Sequence, residues 1–234
     1  MVTGTDMDRA SPRQRALFDF AVTLTEAPWS IAAADLDRLR AAGLSEDGVE
    51  HAICVAAFFN YYTRVADGTG IEFDYDSPLP RLSIDRSRAP LPRPPPDTWN
   101  PAVDGSRLAV FPRRAFAQPV LEQWHSYHFD RDALLSRHER RILARAAATE
   151  LCDPGTVAAF DDAIPRTPRE RALAAYAAKL TLTPWAVGAL DATLLRAEGL
   201  DDPAILAAIT LVAHQNTLSR MHHGLAAHGP RDDR

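Results

Sequence analysis

The chain has 234 residues, 46% of them hydrophobic, and 26 basic against 31 acidic side chains leave it at −5. That is enough apolar material for a core, while no basic field points to nucleic acid and no polybasic arm points to a membrane surface, so neither partner is expected. No apolar run approaches the ~18 residues of a membrane span, the opening residues lack a signal-peptide core, and the expected location is the cytoplasm. Two cysteines, Cys54 and Cys152, are too few and too far apart for a disulfide framework or a zinc site.

In chain order, residues 1–11 are polar and read as a frayed end. Pro12 suits a first helical turn, and Leu17, Phe20, Ala21 and Leu24 recur at helical spacing up to a stop at Pro28. After Trp29 a second helix runs from about Ala32 through Leu36 and Leu39 to Gly43, a C-cap. Ser45 then acts as an N-cap with Glu46 and Asp47 in the first turn, opening a long helix to about Gly68. Val49, Ile53 and Ala56 form one apolar stripe of it, and Cys54, Phe58, Tyr61 and Val65 another, so the helix should pack on several sides.

The stretch 71–117 is rich in proline, with LPRPPP at 91–96, and suits neither a helix nor a central strand. Its Ile71, Phe73, Tyr75, Trp99, Val110 and Phe111 are too apolar for a free spacer, so it is expected to wrap the helical body as a linker. From about Val120 helical character returns in a long segment carrying Leu134, Leu135, Ile142 and Leu143 and ending near Cys152–Gly155, followed by a short helix at roughly 156–163. No strand is predicted.

From Pro168 the first stretch is repeated. Residues 12–70 and 168–226 superpose at a constant offset of 156 without a gap, with about 23 of 59 positions identical, the mark of internal duplication. Each copy is predicted to be three helices, the last the longest, and the expected architecture is all-α, with the two copies related by a pseudo-twofold axis. The expected domains are a first repeat at 12–70, the linker at 71–117, and a second, fuller unit at 118–228.

Both copies keep a polar pair on the apolar stripe of the long helix: Asn60 and Arg64, then Asn216 and Arg220. At i, i+4 the two side chains share a face, and buried they need partners, because an unsatisfied amide or guanidinium costs a few kcal/mol. A structural network between helices is the first reading, a pocket lining the second. The copies differ where Phe58-Phe59 become His214-Gln215 and Ala66-Asp67 become His222-His223. These imidazoles offer acid/base chemistry or metal ligation, although His222 and His223 near a helix C-terminus are equally explained by its dipole. His125 and His128 at i, i+3 lack an identifiable third ligand and read as surface or interface residues, so no metal site is assigned.

The pattern RxRALxxxAxxLTxxPW, then DxxxLRxAGL, then a long helix with N-x3-R and a glycine resembles the C-terminal half of the alkylhydroperoxidase D-like and carboxymuconolactone decarboxylase superfamily, in particular its peroxidase-related branch. Residues 134–163 are similar to the preceding segment of that family, which bears a glutamate, a Cys-x-x-Cys about a dozen residues on, and a histidine one turn later. The resemblance implies a helical fold built through oligomers and peroxide reduction by a thiolate with a resolving cysteine, without a cofactor. Glu139 takes the glutamate's place and Cys152 that of the first cysteine, one residue out of register, while Gly155 and Ala159 stand where the resolving cysteine and histidine belong. Pro154-Gly155 is expected to break the helix, and dithiol chemistry is expected to be lost. Two functions stay open: a family enzyme acting on a small molecule in a helix-lined pocket with His214, Asn216 and Arg220, or a non-catalytic binding or assembly protein. Its partners would be its own copies or a related family protein.

Overall fold

The computed structural model describes residues 10–71, 89–105 and 115–228. Among these residues the chain is all-α, with nine α-helices and no strand. The first copy comprises α1 (Pro12–Glu26), α2 (Ala33–Ala41) and α3 (Glu46–Thr69); α4 (Gln118–Phe129), α5 (Arg137–Glu150) and α6 (Pro154–Ala159) follow; the second copy comprises α7 (Pro168–Leu182), α8 (Ala189–Ala197) and α9 (Asp202–His228).

The repeated sequence produces repeated local structure. Ser11 and Thr167 each close a capping box with the residue three positions on, Gln14 and Glu170, so both first helices begin with their amides satisfied and proline in the first turn. Both end at a proline-led 3-10 turn, Pro28–Ser30 and Pro184–Ala186. Gly43 and Gly199 follow the middle helices at φ +85° and +81°, a region that penalises any side chain.

The long helices α3 and α9 pack against each other at the centre, and the contacts between them are reciprocal. A methyl group built on Gly68 would lie 2.8 Å from Ile209, and one on the equivalent Gly224 would lie 2.6 Å from Ile53, itself the equivalent of Ile209. Each helix thus presents a glycine to the other's isoleucine, which is the close approach that the two glycines permit. Around this crossing lie two apolar clusters, one built on Leu24, Leu36, Leu39 and Ile53, the other on Leu143, Leu173, Leu180 and Leu211.

The segment expected to be one long helix from about Val120 is two, because the chain turns between Asp130 and Ser136, where Leu134 takes a φ of +66°. The short helix lies at Pro154–Ala159 rather than 156–163. Pro154 does end α5's run, and it also starts α6, since Asp153 caps the new helix through its bond from the Thr156 amide. Of the expected linker, residues 72–88 and 106–114 lie outside the described residues. Within 89–105, Val103 is buried and its carbonyl accepts a hydrogen bond from Gly155 N at 3.3 Å, tying this stretch to the start of α6. No helix among the described residues is long and apolar enough to cross a membrane.

Candidate functional site

The polar pairs on the two long helices are the interlock between the copies. Asn60 Nδ2 donates to Thr25 Oγ1 at 3.0 Å and to the Ala56 carbonyl at 2.8 Å; Asn216 Nδ2 donates to Thr181 Oγ1 and to the Val212 carbonyl, both at 2.9 Å. The freed amide oxygens accept from the arginines, Arg64 Nη1 at 2.5 Å and Arg220 Nη1 at 2.8 Å. Each guanidinium then crosses to the other copy. Arg220 Nη2 donates to the Thr25 carbonyl at 2.7 Å, and Arg64 Nη2 donates to the Thr181 carbonyl at 3.4 Å. The last carbonyls of a helix have no partner of their own, so each arginine caps the first helix of the opposite copy.

Both arginines also line one cavity. It has a volume of about 240 Å3 and is walled by Thr25 and Thr181, Trp29 and Trp185, with Leu91 and Leu151. The carboxylates of Glu26 and Asp67 line the cavity too, and Nε of each arginine is buried without a hydrogen-bond partner. Burial pushes Arg64 down to about 10, partly offset by the nearby Asp67 carboxylate; burial and then the positive charge of Arg64 push Arg220 well below its ordinary value. The two guanidiniums share this cavity with two carboxylates, Glu26 and Asp67, and with an indole from each copy, Trp29 and Trp185. Asn216 lies in the interlock without lining this cavity, and Asn60 faces a separate groove between α1 and α3.

His214 and His222 lie elsewhere, under α4. The ring of His214 is fully buried among Trp124 (centroids 4.3 Å apart), His128 (4.7 Å) and His125 (5.8 Å), and neither of its nitrogens has a hydrogen-bond partner. Burial, followed by the neighbouring imidazoles, holds it well below its ordinary value, so it is a neutral ring at pH 7. Of the pair expected at a surface or interface, His125 is half-buried. His128 is buried and pushed down to about 4, because α4 folds over α9 and turns this face inward. Among the described residues no group of three or more His, Cys, Asp or Glu side chains is arranged to hold a metal.

His222 belongs to a second buried network. Its Nδ1 lies 3.1 Å from Asp153 Oδ2, which also accepts from Ser219 Oγ at 2.7 Å and Thr156 Oγ1 at 2.9 Å. Burial would raise the Asp153 carboxyl, but His222 beside it and the hydrogen bonds it accepts hold it at about 2. His223 Nε2 lies 2.8 Å from the Leu151 carbonyl, and burial pushes that ring down to about 4. The helix dipole therefore does not govern it: α9 continues to His228 and His223 is enclosed. Neither His214 nor His222 lines the cavity or the groove.

Glu139 and Cys152 stand at opposite ends of α5, which at 1.5 Å per residue holds them about 20 Å apart. Glu139 caps α5 through Ser136 and accepts from Arg169 Nε at 2.6 Å; these bonds outweigh burial and hold its carboxyl below the ordinary value. Cys152 is buried at a φ of +55°, and burial pushes its thiol up to about 11, leaving it protonated at pH 7. Cys54 is half-buried. Asp153, Thr156 and Ser219 were not singled out from the sequence, and only the offset matches Thr25 with Thr181 and Trp29 with Trp185 could have drawn attention to the cavity.

None of the family models, curated proteins or solved structures compared with this chain matches it.

Proposed function

We propose that this chain is an alkylhydroperoxidase-like helical protein, duplicated within one polypeptide, that has given up dithiol peroxide reduction and binds a small carboxylate in the cavity between its two copies. The observation that carries the reading is the convergence of the buried Arg64 and Arg220 on that cavity, each with an Nε that lacks a hydrogen-bond partner, beside the carboxylates of Glu26 and Asp67. A ligand carboxylate in the cavity would accept charge-assisted hydrogen bonds from the guanidiniums and relieve the repulsion between them. At about 240 Å3 the cavity is below the ~300–1,000 Å3 typical of drug-sized ligands, so the molecule is small. The indoles of Trp29 and Trp185 suit an apolar or planar body behind the carboxylate. The descent rests on the repeated RxRALxxxAxxLTxxPW pattern. The loss of peroxide chemistry rests on a protonated Cys152 thiol and a Glu139 engaged with Arg169 at the far end of the helix.

The test is a thermal-shift panel of small carboxylic acids beside their primary amides. At least one acid should raise the melting temperature in a saturable way while its amide does not, and the shift should vanish in Arg64→Gln. Equal shifts for acid and amide, or a shift that persists in the variant, would remove the reading.

A second reading, a non-catalytic binding or assembly protein, is favoured by a different observation: an open apolar groove on the first copy.

A further inference from the structure

The two copies carry the same groove, and among the described residues only that of the second copy is filled. In the second copy α5 lies between α7 and α9, its Leu143, Ala144 and Ala147 packed on Leu173, Ala177 and Leu211. Glu139 closes the end of the seat, accepting from Arg169, which also donates to the Gly199 carbonyl at 2.8 Å. The equivalent helices of the first copy, α1 and α3, enclose a groove of about 520 Å3 that no helix among the described residues occupies. Its lining matches the filled seat position by position: Leu17 for Leu173, Ala21 for Ala177, Leu44 for Leu200, Ala52 for Ala208 and Val55 for Leu211. Arg13 stands where Arg169 stands and makes the same bond, to the Gly43 carbonyl at 2.9 Å, yet it has no carboxylate partner among the described residues.

From this correspondence we infer that the groove between α1 and α3 is a docking site for an amphipathic helix of another polypeptide, one that carries a glutamate a turn before a Leu/Ala stripe, as α5 does. The apolar stripe fills the groove floor and the glutamate pairs with Arg13. Small residues at Ala21, Gly48 and Ala52 let the incoming backbone approach closely, as Ala177, Ala204 and Ala208 do for α5. The exposed Phe59, whose equivalent Gln215 is buried, gives the seat an aromatic rim.

The probe is a fluorescein-labelled peptide of residues 134–151, which carries α5, titrated into the full chain and read by anisotropy. The wild-type protein should bind it saturably at micromolar concentration. Arg13→Glu should weaken binding at least tenfold with little change in melting temperature, since Arg13 is exposed, and a peptide with Glu139→Arg should restore binding to that variant. Absence of binding, or binding indifferent to Arg13→Glu, would overturn the proposal. So would a wild-type dimer by light scattering that Val55→Arg dissociates, because a second copy of this chain would then cover the face.

Discussion

The two copies share a helix order, caps, glycine crossings and the Asn/Arg interlock, yet they live in different surroundings. In α9 nearly every side chain from Ala208 to Gly224 is buried, whereas α3 buries one stripe, Val49, Ile53, Ala57, Asn60 and Arg64, and leaves Phe59 and Tyr62 exposed. The cause is the segment between the copies: α4, α5 and α6 cover the second copy, while α3 meets α4 through the contacts of Phe58 and Tyr61 with Trp124. Duplication therefore preserved the elements that hold two copies together. The covered copy was free to turn His214, Gln215 and His222 into buried polar groups, which an exposed helix could not have enclosed.

The covered side should fail first in acid. His125, His128, His214 and His223 are all held below the ordinary histidine value, chiefly by burial. Below pH ~6.5 the unfolded chain takes up protons that the folded chain refuses, so stability is full above that pH and falls as pH drops towards 4. Each such group removes up to about 1.4 kcal/mol per pH unit between its unfolded and folded values. Circular dichroism should find an unfolding midpoint between pH 4 and 6. A fold intact at pH 4 would contradict this account of the histidine cluster.

A smaller effect separates the two interlock asparagines. Asn216→Ala should cost about 2–3 kcal/mol, because Arg220 loses its side-chain acceptor and Thr181 its amide donor in a fully enclosed site, and Asn60→Ala about 1–2 kcal/mol, because Asn60 lines the open groove, where water replaces the lost bonds. Denaturant melts of the two variants measure the difference. Equal losses would mean that the groove is closed in solution.

The smallest effect is at the rim. Phe59→Ser should change stability by less than ~0.5 kcal/mol, since its ring is 62% exposed. A large loss in a denaturant melt would mean that the side chain is covered in the isolated protein.

Much of the shared half was legible in the residues themselves. Proline and serine or threonine at helix starts, glycine at helix ends and the constant offset delimited α1–α3 and α7–α9, and the pairs Asn60/Arg64 and Asn216/Arg220 announced buried polar groups that needed partners. What those partners are was not legible, because Arg220 reaches a carbonyl 195 positions away and local spacing carries no such information. The same holds for His128, whose i, i+3 relation to His125 says nothing about α9 lying beneath it. Pro154 was read as a break, which it is, but its second role at the start of α6 depends on Asp153 turning inward to Ser219 and His222.

The central claim is that the paired arginines await a carboxylate. Titration calorimetry with the acid giving the largest thermal shift, into wild type and into Arg64→Gln, tests it most directly. The account predicts one site per chain in the wild type and at least a tenfold weaker affinity in the variant, with both proteins folded. One site of unchanged affinity in Arg64→Gln, or no heat of binding with the wild type, would contradict it.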